Sequence, residues 1–173
     1  LLNINVSYNV APSHPVLTLT SESALMRWSY NPTWAKTPMN LINARSETLR
    51  VKPSFKMAKR CLIVADGWYE WLRTDNKKQP YFFHMNDSLF NFAGIYTEYN
   101  GEMGCAIITK DAIQKLSTVH HRMPIIIADD EADSWLSGED VFDSKSSENI
   151  EFYPVSTMVN SPRNNDIGCI EPI

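Results

Sequence analysis

The chain has 173 residues, of which 43% are hydrophobic and 21% are charged, and its formal net charge is −4. A chain of this length can bury one substantial hydrophobic core but is too short to form two full domains. We therefore predict a single domain over residues 1–173. The net negative charge excludes binding of a polyanion through bulk charge. It does not exclude a locally basic groove, because nearby charges set the field of a cleft.

Three cysteines, Cys61, Cys105 and Cys169, stand at wide spacings. An odd number so spaced is typical neither of a disulfide framework nor of a metal knuckle, so we predict reduced thiols, no metal site and no cofactor. The longest apolar runs, such as residues 62–65, fall far short of the roughly 20 residues that a membrane span needs, and no signal-peptide pattern opens the chain. We therefore expect a soluble cytoplasmic protein, associated with the nucleoid in a bacterium.

The first third of the chain predicts a hairpin followed by a loop. Residues 1–16 carry two prolines and predict an extended entry segment. Short β-prone runs at 16–20 and 24–30, separated by three polar residues, predict a hairpin. Residues 31–40 hold two more prolines and an isolated Trp34, which predicts a loop that presents an aromatic side chain.

A short strand is expected at 41–44, before a helix over 47–51 that the Ser46 hydroxyl caps and Pro53 ends or restarts. The middle of the chain is strongly β-prone, and its strands should curl into a closed or nearly closed sheet. Its aromatic and β-branched runs, broken by turn-forming pairs at 75–76, 86–87 and 100–101, lie at 61–73, 81–85, 89–99 and 104–110.

The last third predicts two helical patches, near 111–116 and 129–136, and Gly138 closes the second. Residues 144–149 predict a solvated loop, and residues 151–157 predict a last strand.

Charge is distributed unevenly along the chain. Residues 129–151 hold nine acids against Lys145 alone. A solvated helix face explains any run of charge, but a surface that follows phosphates, with the acidic segment on the far side, is the alternative. Residues 45–60 contain one acidic residue, Glu47, and six basic ones: Arg45, Arg50, Lys52, Lys56, Lys59 and Arg60.

Four short sequence motifs combine polar residues with apolar or aromatic neighbours. They read YNVAP at 8–12, LINARSET at 41–48, ADGWYEW at 65–71 and VHHRMP at 119–124, and YPVS follows at 153–156. In this order they resemble the SOS-response-associated peptidase (SRAP) family. The resemblance implies an α+β fold, a single domain with a β-barrel-like, mostly antiparallel core and a few peripheral helices.

The same resemblance implies recognition of abasic sites in single-stranded DNA and a covalent DNA–protein crosslink. The family's nucleophile is a cysteine exposed at the N-terminus by autoproteolytic removal of the initiator Met. Its α-amine condenses with the sugar aldehyde to an imine, and its thiolate then closes a thiazolidine. Residue 1 here is Leu, and none of the first sixty residues is cysteine. We expect the segment with the nucleophile to precede Leu1, and we expect a monomer.

Glu70 stands between Tyr69 and Trp71 in a predicted strand. An apolar cover would raise the pKa of its carboxyl and let it shuttle protons, whereas simple alternation would turn it to solvent. His120 can change protonation near neutral pH, or it can be a structural imidazole. His121 should point the opposite way on an extended segment. The resemblance makes both residues catalytic: Glu70 is the acid/base, and His120 positions or protonates the oxygen of the opened sugar.

Asn43 and Arg45 are two apart and should project to the same side of an extended segment. Asn43 can bond the sugar or the N-terminal amine, and Arg45 can bind a flanking phosphate. A surface pair of Arg45 with Glu47 is an equal alternative. Asn9 orders its own segment near the nucleophile or simply forms a turn. Trp34 can stack on a DNA base or lie partly in the core. The resemblance places all four in the DNA-binding active site.

Two other functions stay open from the residues alone. A module of the same fold could bind single-stranded DNA without a covalent bond, and salt-dependent binding that is equal for intact and abasic strands would identify it. A general peptidase is disfavoured, because the chain offers no recognisable Ser-His-Asp arrangement.

Overall fold

The computed structural model of the chain describes residues 2–143 and 145–173, and within them eleven strands form two sheets. Aromatic and β-branched runs account for the long strands, because such side chains pack well on a half-buried pleated surface. The strands are β1 (Pro15–Leu19), β2 (Ser23–Trp28), β3 (Asn43–Arg45), β4 (Lys59–Ala65), β5 (Gly67–Thr74), β6 (Lys77–His84), β7 (Phe90–Tyr99), β8 (Glu102–Asp111), β9 (Arg122–Pro124), β10 (Ile126–Ile127) and β11 (Glu151–Pro154).

The larger sheet closes on itself. Its order is β10-β7-β4-β1-β2-β8-β3, and an additional pairing of β7 with β8 joins β7, β4, β1, β2 and β8 into a ring. The pairs of β8 with β2 and β3 are parallel, and the other pairs are antiparallel. The predicted α+β class with a barrel-like, mostly antiparallel core is therefore confirmed.

The smaller sheet has the order β11-β6-β5 and is antiparallel. A single residue, Asp66, separates β4 of the ring from β5, so the chain passes directly from one sheet to the other. This connection attaches β5, which carries Glu70, to the end of the ring.

The helices are short. The two α-helices of the described ranges are α1 (Gln114–Ser117) and α2 (Ala132–Ser137). Gly138 closes α2 with φ 110°, as predicted, because glycine adopts this conformation without a Cβ penalty. The other helical segments are 3-10 turns at Ser46–Thr48, Pro53–Phe55, Asp129–Glu131, Lys145–Asn149, Thr157–Asn160 and Ile167–Cys169. No described helix has the length and apolar character to cross a bilayer.

Two local predictions were wrong. Ser46 caps no helix, because it lies inside a three-residue 3-10 turn whose N-cap is Arg45, and Pro53 holds the preceding Lys52 in extended conformation, which leaves no room for a longer helix. The predicted loop at 144–149 is a 3-10 turn over Lys145–Asn149 that contains the buried Ser147. The fully buried Ile150 holds this turn on the core. Residue 144 of the predicted loop lies outside the described residues.

The acidic segment does not lie opposite the basic one. Asp140 bonds both Arg50, at 2.9 Å, and Arg60, at 2.6 Å. The Arg60 guanidinium also lies 4.1 Å from the ring centroid of Trp135 in α2. Two cations of the basic run therefore hold the acidic segment against β4, and a phosphate-binding surface must use the remaining ones.

Candidate functional site

Glu70 lies in β5 with 23% of its side chain exposed, so it does not face open solvent. Residues two apart on a strand share a face, and the neighbours on this face, Trp68 and Leu72, pack against one core cluster. Leu116 and Val119, which flank the approach to His120, are buried in the same cluster. One hydrophobic core thus brings together two segments that are 50 positions apart in the sequence.

His120 meets Glu70 at this point, with 3.6 Å between His120 Nδ1 and Glu70 Oε2. Burial raises the pKa of the Glu70 carboxyl to about 7, and the nearby imidazole opposes this shift by favouring the carboxylate. A carboxyl that titrates near neutral pH is present in both forms, so it can give and take a proton.

The surroundings of the His120 ring suit both protonation states of Nδ1. This nitrogen lies 3.1 Å from the carbonyl oxygen of Arg122 and 3.2 Å from its amide nitrogen. A protonated Nδ1 can donate to the carbonyl, and a bare Nδ1 can accept from the amide. The loop therefore offers a hydrogen-bond partner to Nδ1 in either tautomer of the ring.

The prediction for His121 was wrong. The rings of His120 and His121 lie side by side, with centroids 4.7 Å apart and an angle of 34° between the planes. The alternation of an extended strand does not apply, because β9 begins only at Arg122.

The raised pKa of Glu70 makes stability depend on pH. The folded protein binds this proton up to about pH 7, whereas the ordinary pKa is 4.5, so the group's contribution to the free energy of unfolding falls as the pH rises between these values. We expect Glu70→Gln to be about 2 kcal/mol more stable than the wild type at pH 8, with the difference shrinking towards pH 4. Urea unfolding at both pH values measures this, and an equal difference at both would contradict the titration.

Asn43 and Arg45 are exposed on β3 and flank the buried Ala44, so they share one face as predicted. β3 pairs with β8 so that Arg45 is opposite Thr109, and Thr109 on its other side is opposite Pro124 of β9. This pairing brings the NAR motif to the strand that neighbours the His120 loop. Arg45 does not pair with Glu47, whose carboxylate bonds Arg122 instead.

Arg122 is the site residue that the sequence interpretation missed. Its side chain is only 12% exposed, and it donates to both carboxylate oxygens of Glu47 (2.8 and 3.0 Å), to Asp111 (2.6 Å) and to the Thr109 carbonyl (2.9 Å). The hydrogen bond from Arg122 lowers the pKa of Glu47. The signal was present in two motifs, since Glu47 ends NARSE and Arg122 lies within HHRMP, but only the strand pairing shows that they meet.

Asn9 is buried, and its side chain makes hydrogen bonds to another segment of the chain. Its side-chain nitrogen Nδ2 lies within hydrogen-bond distance of the carbonyls of Val159, Ser161 and Asn164 and donates to them, which fastens the N-terminal segment to the C-terminal one. The Tyr69 hydroxyl donates to the Tyr8 carbonyl at 2.6 Å and ties the same segment to β5. Asn9 therefore orders its own segment, and these bonds occupy its side-chain nitrogen.

Trp34 is 57% exposed and lies on the surface rather than in the core. Its indole nitrogen donates to the Pro53 carbonyl at 3.4 Å, which sets the ring beside the basic run. Lys52 and Lys56 flank this contact along the chain and are exposed. An exposed aromatic ring next to cations is a surface suited to nucleic acid.

The chain is similar to several known proteins. Residues 2–162 match the SOS response associated peptidase (SRAP) family. The chain is 38% identical to the abasic site processing protein YoqW of Bacillus subtilis, over 95% of this chain and 85% of that protein. It is 36% identical to the abasic site processing protein HMCES of Gallus gallus, over 96% of this chain and 66% of that protein.

Two solved structures share the fold. A protein of Bacteroides thetaiotaomicron superposes with a TM-score of 0.77 and 26% identity, covering 93% of this chain and 82% of that one. A protein of Bordetella bronchiseptica gives 0.73 at 21% identity, covering 85% and 86%. With its four motifs meeting on this fold and a family match over residues 2–162, the chain belongs to the SOS response associated peptidase (SRAP) family.

Proposed function

We propose that this chain is a single domain that recognises abasic sites in single-stranded DNA and, as the full-length protein, forms a covalent crosslink through an N-terminal cysteine. Removal of the initiator Met by the protein itself would expose that cysteine. The observation that carries the proposal is the 3.6 Å approach of His120 to Glu70, a carboxyl titrating near neutral pH. The names of the two curated relatives, both abasic site processing proteins, support it.

The proposed chemistry needs proton transfers at each step. The cysteine α-amine adds to the aldehyde carbon of the opened sugar, and the resulting carbinolamine loses water once its hydroxyl is protonated. The thiolate then adds to the imine carbon and closes the thiazolidine, so that aldehyde and aminothiol give one ring and one water. Glu70 protonates the leaving hydroxyl and takes up the proton released by the thiol, while His120 holds the proton on the sugar oxygen.

The strand would lie across the exposed face of β3. Arg45 offers a planar guanidinium to a phosphate beside the lesion, and Asn43, on the same face, can bond the sugar. Lys52 and Lys56 extend the positive surface towards Trp34. A single strand suits this arrangement, because its unpaired bases can stack on an exposed ring. The protein would act as a monomer in the cytoplasm.

Trp34→Ala is expected to weaken binding of single-stranded DNA by about 1–3 kcal/mol, since a stacking ring contributes this much per base. The control is Leu89→Ala, which removes another exposed apolar side chain, in the β6–β7 connection. Fluorescence anisotropy with a labelled oligonucleotide measures both. An equal loss of DNA affinity in the two variants would show that Trp34 does not stack on the DNA.

The function itself is tested by equilibrium binding of this chain to three labelled DNAs: an intact single strand, a single strand with a stable abasic analogue, and a duplex. We expect the abasic single strand to bind most tightly, and its affinity to fall with added salt. Equal affinity for the intact and abasic strands would instead identify a non-covalent module that binds single strands in general. No binding to any strand would overturn the DNA assignment.

A further inference from the structure

The ion cluster beside the site is built around one buried guanidinium. Glu47 holds Arg122 with both carboxylate oxygens, whereas Asp111 holds it with one. The Glu47 side chain is 48% exposed and that of Asp111 is 87% exposed. Among the described residues, the buried Nε of Arg122 has no partner. The two terminal nitrogens therefore make all the hydrogen bonds of this guanidinium among the described residues. Glu47 is the one described residue that bonds both of them, since Asp111 bonds only Nη1 and Thr109 bonds only Nη2.

The main chain of the same residue holds the His120 ring. The amide and the carbonyl of Arg122 both lie within hydrogen-bond distance of His120 Nδ1, at 3.2 and 3.1 Å. The ring orientation therefore depends on where the backbone of Arg122 lies. That backbone is fixed by the pairing of Arg122 with Asp111 in the sheet and by the anchored side chain. A change at Glu47 should thus reach the imidazole through Arg122.

We propose that Glu47 is a positioning residue that acts through Arg122 to hold His120 in register with Glu70. The assignment deepens the proposed function and rests on it. It gives the last residue of the NAR-x-E motif a task that does not require contact with DNA. It also explains why a half-exposed carboxylate occupies a guanidinium next to a site proposed to bind a polyanion.

The test compares Glu47→Gln with Asp111→Asn in the full-length protein. Both variants remove one negative charge beside the same guanidinium, but only the first disrupts the contact that spans both terminal nitrogens. Single-turnover capture of an abasic strand, followed over a range of DNA concentrations, separates the maximal rate from the half-saturating concentration. We expect Glu47→Gln to lower the maximal rate about 10-fold, because small misplacements of a catalytic group are costly, and not to raise the half-saturating concentration. Asp111→Asn should keep the maximal rate.

Two further measurements separate positioning from charge. If Glu47 acts only through Arg122, the double variant Glu47→Gln with Arg122→Lys should be no slower than the slower single variant. Nitrogen-15 NMR of labelled histidines should show a changed His120 ring in Glu47→Gln and an unchanged His14 ring, whose Nδ1 accepts from the Ala11 amide elsewhere in the chain.

The inference is overturned if Glu47→Gln keeps the maximal rate, if Asp111→Asn loses as much, or if the His120 signals do not move. The failure of the underlying function is distinguishable from all of these. In that case the wild-type protein captures no abasic strand at any concentration, while the histidine spectra still decide whether Glu47 positions the ring.

Discussion

Replacing Glu70 with glutamine is expected to slow covalent capture of an abasic single strand by about 100-fold or more, since general acid–base catalysis contributes at least this factor in most enzymes. Glutamine keeps the size and hydrogen-bonding shape of the side chain but cannot carry a proton between intermediates. The affinity for DNA should be unchanged, because the partly buried carboxyl makes no phosphate contact in the proposed mode.

The rate of wild-type capture should also follow the titration of this carboxyl. With a pKa of about 7, the protonated form that dehydrates the carbinolamine declines above neutral pH, and the Glu70→Gln variant should lose this limb of the pH profile. Glu98→Gln, an exposed glutamate at the far end of β7, serves as the control. Capture by Glu70→Gln at the wild-type rate would exclude the acid–base role.

Trp135→Ala is expected to lower the free energy of unfolding by about 3–5 kcal/mol, the range for removal of a large buried aromatic side chain. Trp135 is fully buried, its indole nitrogen donates to the Cys61 carbonyl at 2.9 Å, and its ring lies against the Arg60 guanidinium. The substitution therefore leaves a cavity and an unpaired carbonyl in β4 as well as a loosened acidic segment.

Trp34→Ala provides the matched control, because the same side chain is removed from an exposed position. Its free energy of unfolding should stay within about 0.5 kcal/mol of the wild type, although its DNA affinity should fall. Urea unfolding at pH 7 compares the two variants. A loss below about 1 kcal/mol in Trp135→Ala would mean that α2 is not part of the cooperative core.

Local patterns in the sequence predicted most of the long strands, but the predicted run at 61–73 is two strands, β4 and β5, which Asp66 divides between the two sheets. The Asn100-Gly101 pair, with φ values of 52° and 83°, forms the turn between β7 and β8, and such pairs favour tight hairpins because both residues tolerate positive φ. The β1–β2 hairpin is likewise confirmed. The closure of the ring was expected only in general terms, because the parallel pairing of β8 with β2 joins segments far apart in the chain.

In the candidate site, too, local features could be predicted from the sequence, whereas contacts between distant segments could not. Alternation predicted that Asn43 and Arg45 share a face. A raised pKa for Glu70 was one of two interpretations of its aromatic strand, and the burial of the carboxyl supports that one. The choice of partner could not be predicted, because it depends on strand register. Glu47 was considered as a partner of Arg45, two positions away, but the register of β8 with β9 brings Arg122 to it instead.

The most direct test of the central claim is a denaturing gel of the full-length protein after incubation with an abasic single strand. The account predicts a shifted, denaturant-stable band that is lost when the N-terminal cysteine is replaced by alanine and forms much more slowly in Glu70→Gln. If a protein confirmed to begin with cysteine gives no such band, the account is contradicted.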